Sequence, residues 1–234
     1  MPFMRLDKLL SELGLGSRSQ VKAWIKKGQV QVDGCVCKKA EQKVDTASQK
    51  VRLNGQDIDY EEYEYYILHK PAGCVTALQD DREKTVMDYM PKEHKKNLAP
   101  VGRLDKDTEG LLLFTDDGKL AHLLLSPKKH VEKTYYAKIN GKVTQEDVDA
   151  FRNGLDIGDD TKTLPAKLHI LQSGEVSEIE VTVCEGRFHQ IKRMFYAVGK
   201  EVIYLKRISF GKLVLDNTLE LGQYRKIKKE DIVD

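Results

Sequence analysis

The sequence predicts an α+β protein in two domains. A small α/β module is expected over residues 1–59, and a larger domain with a mixed, mainly antiparallel β-sheet and flanking helices over residues 60–234. Two short amphipathic helical patterns followed by short strand patterns indicate the first domain. Strand and helix patterns at irregular intervals indicate the second, because a doubly wound parallel sheet requires regular alternation of strands and helices.

Charge separates the same two parts of the chain. Residues 1–56 carry 11 Lys or Arg and 5 Asp or Glu, a net charge of +6, whereas the remaining 178 residues carry 28 and 32, a net charge of −4. A basic segment favours contact with a polyanion, since Lys and Arg that neutralise phosphates release condensed counterions. A solvated basic surface is the alternative interpretation.

Two helices are predicted at the start of the chain. The first, residues 5–15, has four leucines at helical spacing on one face. The second begins at Ser17 or Ser19, either of which can cap it, and ends at Gly28 after two lysines that favour the helix dipole. Its inward stripe consists of Val21, Trp24 and Ile25.

Short strands follow the second helix. Alternating polar and apolar residues predict a strand at 29–32, and Asp33-Gly34 supplies a hairpin turn. Another strand is predicted at 50–53. The acidic, poorly periodic segment 56–64 is expected to be a linker, which places the domain boundary near residue 60.

Short runs rich in apolar and β-branched residues predict the strands of the larger domain. They lie at 65–68, 111–114, 135–139, 168–171, 179–184, 202–205 and 213–215. Helices are predicted at 144–152 and 187–198, each stopped by a following glycine.

The helix predicted at 187–198 combines an apolar face with cations. The face expected to pack inward consists of Phe188, Ile191, Phe195 and Val198. The neighbouring face carries His189, Lys192, Arg193 and Tyr196. Cations beside an apolar stripe favour an anionic partner, and an ordinary amphipathic helix with solvated cations is the alternative.

A charged loop directly before the strand at 111–114 is the main candidate for an active site. Arg103 and Asp105 stand two residues apart, and glycines at 102 and 110 allow the backbone to bend on both sides. Loops anchored to a rigid sheet are where reactive groups tend to be placed.

The four cysteines, at positions 35, 37, 74 and 184, lack the spacing of zinc ligands and are expected to be ordinary reduced thiols. The first ten residues contain charges that are wrong for a signal peptide, and no apolar stretch is long enough to span a bilayer. We therefore expect a cytoplasmic protein with no metal and no membrane partner.

The first fifty residues resemble the RNA-binding module named after ribosomal protein S-four, also called the alpha-L motif. The matching segments are 5–10, 17–21 and 28–34. The resemblance implies binding of structured RNA, chiefly through phosphate-directed cations. These cations are Arg5, Arg18, Lys22, Lys26 and Lys27.

The larger domain resembles a pseudouridine synthase of the RsuA-type branch. The matching segments are Lys70-Pro71-Ala72-Gly73, residues 101–112, Glu132-Lys133-Thr134-Tyr135 and residues 185–195. The resemblance implies isomerisation of uridine, in which the N1 glycosidic bond breaks and the base is rejoined through C5. This reaction requires no metal, nucleotide or coenzyme.

The resemblance also implies roles for single residues. It makes Asp105 the catalytic carboxylate, which has three routes open to it: addition to uracil C6, attack on ribose C1′, or removal of the C2′ proton. Arg103 helps to fill the space left by the flipped base. Tyr135 packs against the uracil ring, and a core-facing strand aromatic is its alternative role.

The cation expected to pair with Asp105 maps to Lys192, where many relatives carry Arg. A Lys ammonium cannot form the bidentate fork of a guanidinium, so Arg193 is the second candidate for this pairing. Asp107 is expected to be a hydrogen-bond acceptor within the loop rather than a second catalytic acid.

The leading functional hypothesis is therefore pseudouridine formation at one uridine of small-subunit (16S) ribosomal RNA, as free RNA or in an assembling particle, by a monomer. The compact end of the chain, residues 228–234, favours this over a large-subunit (23S) site. A non-catalytic rRNA-binding or ribosome-assembly factor is an alternative from another class, and a glycoside hydrolase using Asp105 and Asp107 is a third.

Overall fold

The computed structural model describes residues 3–46, 48–58, 63–92 and 97–233. The chain divides into two compact units, Met1–Glu62 and Tyr63–Asp234. The predicted boundary near residue 60 falls outside the described residues. Within the described ranges, no helix is both long and apolar enough to cross a membrane.

The part of the first unit that the structure describes contains two short helices and six short strands. They are β1 (Phe3–Arg5), α1 (Leu6–Glu12), α2 (Arg18–Lys26), β2 (Val30–Val32), β3 (Cys35–Val36), β4 (Lys43–Asp45), β5 (Val51–Leu53) and β6 (Gln56–Ile58). Antiparallel pairing joins β1 to β4 and builds a four-stranded sheet in the order β3-β2-β5-β6.

Helix α2 begins where a serine side chain can satisfy its free amides. Ser17, rather than Ser19, is the N-cap, and it forms a capping box with Gln20. Val21 and Ile25 are fully buried against the leucines of α1, as their spacing predicts. The core of this unit therefore depends on the two helical apolar stripes identified from the sequence.

Part of the predicted linker is a strand. Asn54 and Gly55 both have positive φ, 51° and 83°, the combination that a tight hairpin turn requires. This turn returns the chain as β6, so the prediction of an irregular linker from residue 56 was wrong. The first helix is also shorter than predicted, since Arg5 belongs to β1.

Nine strands and three helices lie in the described residues of the second unit. They are β7 (Tyr65–Lys70), β8 (Ala99–Val101), β9 (Glu109–Thr115), α3 (Gly118–Leu125), β10 (Lys133–Asn140), α4 (Gln145–Asn153), β11 (Lys167–Gln172), β12 (Val176–Val183), α5 (Gln190–Ala197), β13 (Glu201–Phe210), β14 (Leu213–Val214) and β15 (Tyr224–Lys226). Single 3-10 turns lie at Val86–Tyr89, Pro127–Lys129 and Lys229–Asp231.

These nine strands form one sheet. Its order is β11-β12-β10-β13-β9-β7-β15, with β8 beside β9 and β14 beside β13. Every pairing is antiparallel except that of β9 with β13, which is parallel. The prediction of a mixed, mainly antiparallel sheet is confirmed.

Strand β9 is buried on both faces of the sheet. Leu112 and Phe114 face the core that also contains α4 and α5, whereas Leu111 and Leu113 face the core beneath α3. A strand covered on both sides shows a continuous apolar run instead of alternation, which explains the sequence pattern at this position.

The helix predicted at 187–198 begins later than expected, at Gln190. His189 precedes it in the left-handed region, with φ of 47°, and this turns the chain away from helical geometry. Phe188 consequently lies outside the helix and is 75% exposed, so the prediction that it packs inward was wrong. Ile191 and Phe195 are buried as predicted.

The parallel contact between β9 and β13 depends on Gly110. Its φ is +109°, and a Cβ added here would lie 2.2 Å from the backbone oxygen of Arg207 and 2.6 Å from its nitrogen. Only a residue without a side chain allows the two strands to approach at this point. The same residue ends the candidate catalytic loop.

We predict that Gly110→Ala destabilises the protein by at least about 3 kcal/mol, because the new methyl group overlaps backbone that cannot move away. Gly118→Ala is the matched control, since a Cβ added there would meet no neighbouring group within 4 Å and its φ is unexceptional. This control should change stability by no more than about 1 kcal/mol. Urea unfolding followed by circular dichroism measures the free energy of unfolding of both variants. Equal stabilities of the two variants would contradict the requirement for glycine at position 110.

Candidate active site

The charged loop between β8 and β9 is held by a buried ammonium group. Lys70, at the end of β7, is fully buried, and its Nζ donates to the carbonyl oxygens of Thr108 at 2.8 Å and Asp105 at 3.0 Å. The carbonyls of Pro71 and Lys106 complete the set at 3.1 and 3.4 Å. Burial lowers the pKa of Lys70. Through the three carbonyls that belong to the loop, Lys70 fixes the loop backbone at Asp105 and on its C-terminal side.

Two further contacts hold the same loop. The Thr76 hydroxyl donates to the Leu104 carbonyl at 2.7 Å and accepts from the Leu104 amide at 3.1 Å. The Gly73 amide donates to the Lys106 carbonyl at 2.7 Å. Because Leu104 and Lys106 flank Asp105, the direction of its side chain is set by backbone contacts on each side.

Asp105 opens into a cleft of about 710 Å³. The walls come from the charged loop, from β10 and β13, and from residues 185–192. Four residues singled out from the sequence line this single cleft. They are Arg103, Asp105, Tyr135 and Lys192.

Lys192 lies between two carboxylates. Its Nζ is 3.1 Å from Oδ2 of Asp105 and 2.6 Å from Oδ1 of Asp107. Partial burial acts to lower the pKa of Lys192, but the hydrogen bonds and charges of the two aspartates raise it overall. Partial burial likewise opposes ionisation of Asp107, and Lys192 outweighs it to hold the pKa of that carboxyl below its usual value. The geometry thus favours an ionised ammonium beside the Asp105 carboxylate.

Tyr135 lies on β10 with 9% of its surface exposed, and its ring borders both the cleft and the core of the sheet. Tyr136 points to the opposite face, where its ring meets that of Tyr204 edge-on at 6.0 Å. The alternation of a strand therefore assigns only the first of the two adjacent tyrosines to the cleft.

Arg193 does not reach Asp105. Its guanidinium donates to the carbonyl oxygens of Ile157 and Phe188 and pairs with Asp159. The second candidate for the pairing with Asp105 was therefore wrong, and Lys192 occupies that position.

Three features of the cleft were missed from the sequence. Lys70 was noted only as part of a turn motif, because a lysine is rarely buried and its place at the end of an apolar strand does not by itself signal burial. His189 was placed on the cationic face of the predicted helix without a role of its own, and its Nε2 lies 3.6 Å from Oδ1 of Asp105. Arg207 is 2% exposed beneath the cleft and donates from Nε to the Leu111 carbonyl at 2.7 Å.

The described part of the chain contains no group of His, Cys, Asp or Glu side chains able to hold a metal ion. Lys133 and Arg207 bring additional positive charge to the wall of the cleft. Burial, followed by the charge of Arg207, lowers the pKa of Lys133. The side chains around Asp105 are therefore suited to proton transfer and to contact with anionic or polar groups.

The first unit carries a separate line of cations on α2. Arg18, Lys22 and Lys26 are four residues apart and exposed, and no ion pair to them occurs within the described ranges. Lys27 follows at the helix end and is also exposed. Arg5, by contrast, donates to Asp7 at 2.8 and 3.0 Å. Its guanidinium remains half exposed despite this pairing.

Comparison with protein families matches both units. A family model described as RNA pseudouridylate synthase matches residues 64–197, and one described as the S4 domain matches residues 4–51.

Relatives match along almost the whole chain. A protein of Bacillus subtilis (strain 168) named uncharacterized RNA pseudouridine synthase YtzG is 46% identical over 98% of this chain and 97% of its own. The ribosomal large subunit pseudouridine synthase B of the same strain is 38% identical, covering 97% and 93%. The ribosomal small subunit pseudouridine synthase A of Vibrio cholerae is 36% identical, covering 98% of each chain.

A solved structure has the same architecture. The crystal structure of a pseudouridylate synthase, 35% identical in sequence, superposes with a TM-score of 0.68 over 98% of both chains. Together with the sequence matches, this places the protein in the pseudouridine synthase family, as an RsuA-type enzyme whose synthase domain follows an S4 domain.

Proposed function

We propose that this enzyme converts one specific uridine of small-subunit (16S) ribosomal RNA to pseudouridine. The observation that carries the proposal is the Asp105 carboxylate, fixed by its loop and paired with Lys192 in a cleft that Tyr135 borders. Relatives named ribosomal small subunit pseudouridine synthase A, at 36 to 38% identity, support the choice of RNA.

The reaction is an isomerisation, so its atoms balance without a co-reactant. The bond between N1 and C1′ breaks, a bond between C5 and C1′ forms, and the proton lost from C5 is matched by one gained at N1. Asp105 is the proposed catalytic residue, acting at uracil C6, at ribose C1′ or on the C2′ proton. Its side chain is 28% exposed and so is accessible from the cleft.

The base has to leave its stack to reach Asp105, at a cost of a few kcal/mol. Arg103 is exposed at the cleft and is proposed to occupy the space that the base leaves in the RNA. Tyr135 is proposed to pack against the uracil ring. Lys192 is proposed to hold the Asp105 carboxylate in position through its charge, at 3.1 Å.

The exposed cations of the first unit are the proposed anchor for the ribosomal RNA. Arg18, Lys22 and Lys26 form a continuous stripe on α2 that follows a phosphate backbone without reading bases. Lys27 and Arg5 are proposed to add to this contact.

A large-subunit (23S) site is the second candidate. It is favoured by the 38% identity to the large subunit pseudouridine synthase B of Bacillus subtilis. The cleft residues are the same for either RNA, so the choice of RNA is the part of the proposal that direct mapping decides.

Pseudouridine mapping tests the modified position and the choice of RNA together. In cells lacking the protein, pseudouridine mapping of both ribosomal RNAs should reveal one site lost from 16S RNA, and the wild-type protein should restore it. Loss of a 23S site instead would support the second candidate. No change in either RNA would contradict a role in rRNA modification.

The catalytic role proposed for Asp105 is tested by removing its charge. With the mapped RNA, Asp105→Asn should lower the rate of pseudouridine formation by at least about 10³-fold while RNA still binds, because the carboxylate performs the chemistry. Asp107→Asn is the matched variant on the same loop. It leaves the pairing of Asp105 with Lys192 in place and should cost less than about 10-fold. Equal losses in the two variants would argue against a distinct role for Asp105.

The proposed role of the cationic stripe on α2 is tested by the salt dependence of RNA binding. Replacing Arg18, Lys22 and Lys26 with Gln should weaken RNA binding and reduce the slope of log K against log salt by about 2 to 3, since each lost phosphate contact contributes just under one. Filter binding across a range of salt concentrations measures this slope.

A charge-matched control removes three exposed cations from the synthase domain, Lys119, Lys142 and Arg152. This control should leave the slope nearly unchanged. The anchor assignment fails if the two triple variants reduce the slope equally.

A further inference from the structure

One apolar aromatic side chain at the cleft, that of Phe188, is unusually exposed to solvent. Phe188 lines the cleft and is 75% exposed, although a phenylalanine gains free energy when it leaves water. One face of its ring stacks on the imidazole of His189, with ring centroids 3.8 Å apart and an angle of 18° between the rings. The opposite face is therefore the part of the ring that remains open to solvent.

The backbone that carries Phe188 is held in place by hydrogen bonds. His189 adopts a left-handed conformation, with φ of 47°, directly before α5 begins. The Phe188 carbonyl accepts from Nη1 of Arg193 at 3.1 Å, and Arg193 is itself held by Asp159 and Ile157. Arg193, which does not pair with Asp105, thus fixes the backbone of Phe188.

The preceding residue is held just as firmly. Arg187 donates from its side chain to the carbonyls of Thr161 and Lys162 at 2.7 and 2.8 Å and to Glu185 at 3.0 Å. Its amide donates to the Gln190 side chain at 3.0 Å. The backbone that carries the ring is therefore preorganised, so little backbone freedom is lost when a ligand stacks on the ring.

The ring is close to the reacting carboxylate. His189 lies between the two groups, with its Nε2 3.6 Å from Asp105 and its ring 3.8 Å from that of Phe188. A base stacked on the open face of Phe188 would therefore belong to a nucleotide close to a uridine positioned at Asp105.

We propose that Phe188, backed by His189, is a stacking platform for an unpaired nucleobase one or two positions from the target uridine. A nucleobase fits better than an aliphatic ligand because it offers a flat π face, and its phosphates suit the exposed cations Arg103 and Lys106 on the same cleft. The inference rests on the proposed function. It adds a residue that holds the RNA strand beside the flipped uridine.

The test uses the full-length protein and an rRNA fragment containing the mapped uridine. Steady-state pseudouridine formation is measured for wild type and Phe188→Ala on the intact fragment and on four fragments, each abasic at one of the two nucleotides on either side. Phe188→Ala should raise KM about 10- to 100-fold with kcat nearly unchanged. At one of the abasic positions, KM of the wild type should rise by a similar factor, whereas KM of Phe188→Ala should rise almost no further.

Two other variants separate stacking from general effects. Phe188→Trp should retain wild-type KM because it preserves a flat ring. Tyr196→Ala removes another exposed aromatic of α5, 83% exposed and outside the lining of the cleft, and should leave KM unchanged.

The inference is overturned if Phe188→Ala retains wild-type KM. It is also overturned if, at every abasic position, the increase in KM caused by Phe188→Ala multiplies fully with the increase caused by the missing base. Either result, with an active wild type, leaves the proposed function intact. A wild type inactive on both ribosomal RNAs would refute the proposed function itself, and the platform with it.

Discussion

The ammonium group of Lys70 is the interaction on which the site depends. A fully buried cation is costly unless polar groups surround it, and here four backbone carbonyls do so. Three of those carbonyls belong to the loop that carries Asp105, so satisfying the lysine and shaping the loop are the same event. The loop, in turn, is joined to a sheet whose two buried faces leave β7 and β9 little freedom to shift.

The same arrangement explains the division of labour among the charged residues of the cleft. Lys70 binds backbone oxygens, which leaves the Asp105 side chain free to meet Lys192 and the cleft. Lys192 also holds Asp107, so its ammonium lies between two carboxylates at 3.1 and 2.6 Å. Arg193 acts away from the carboxylates and fixes the backbone of Phe188. Neighbouring cations on one helix therefore hold different parts of the site.

Sequence patterns identified most of this structure where they were long or chemically specific. The apolar run at 111–114, the capped helix α2 and the mixed sheet are confirmed, and the structure places Arg103, Asp105, Tyr135 and Lys192 in the lining of one cleft. Strands β1 and β4 were not predicted, because three residues carry little periodicity and neither strand is followed by a turn dipeptide such as the one after β2 or β5. Phe188 was misplaced because helical spacing takes no account of a left-handed residue such as His189, and the carbonyl contacts of Lys70 depend on pairing between segments far apart in sequence.

The most direct test of this account is the single-turnover rate of pseudouridine formation by Lys70→Met at saturating RNA. Methionine keeps the apolar stem and removes only the ammonium that orders the loop. A displacement of Asp105 by about 1 Å is enough to cost 10²-fold, so we expect a loss of at least about 100-fold with RNA affinity retained. A rate within about twofold of wild type, in a variant that circular dichroism shows to be folded, would contradict the central role of Lys70.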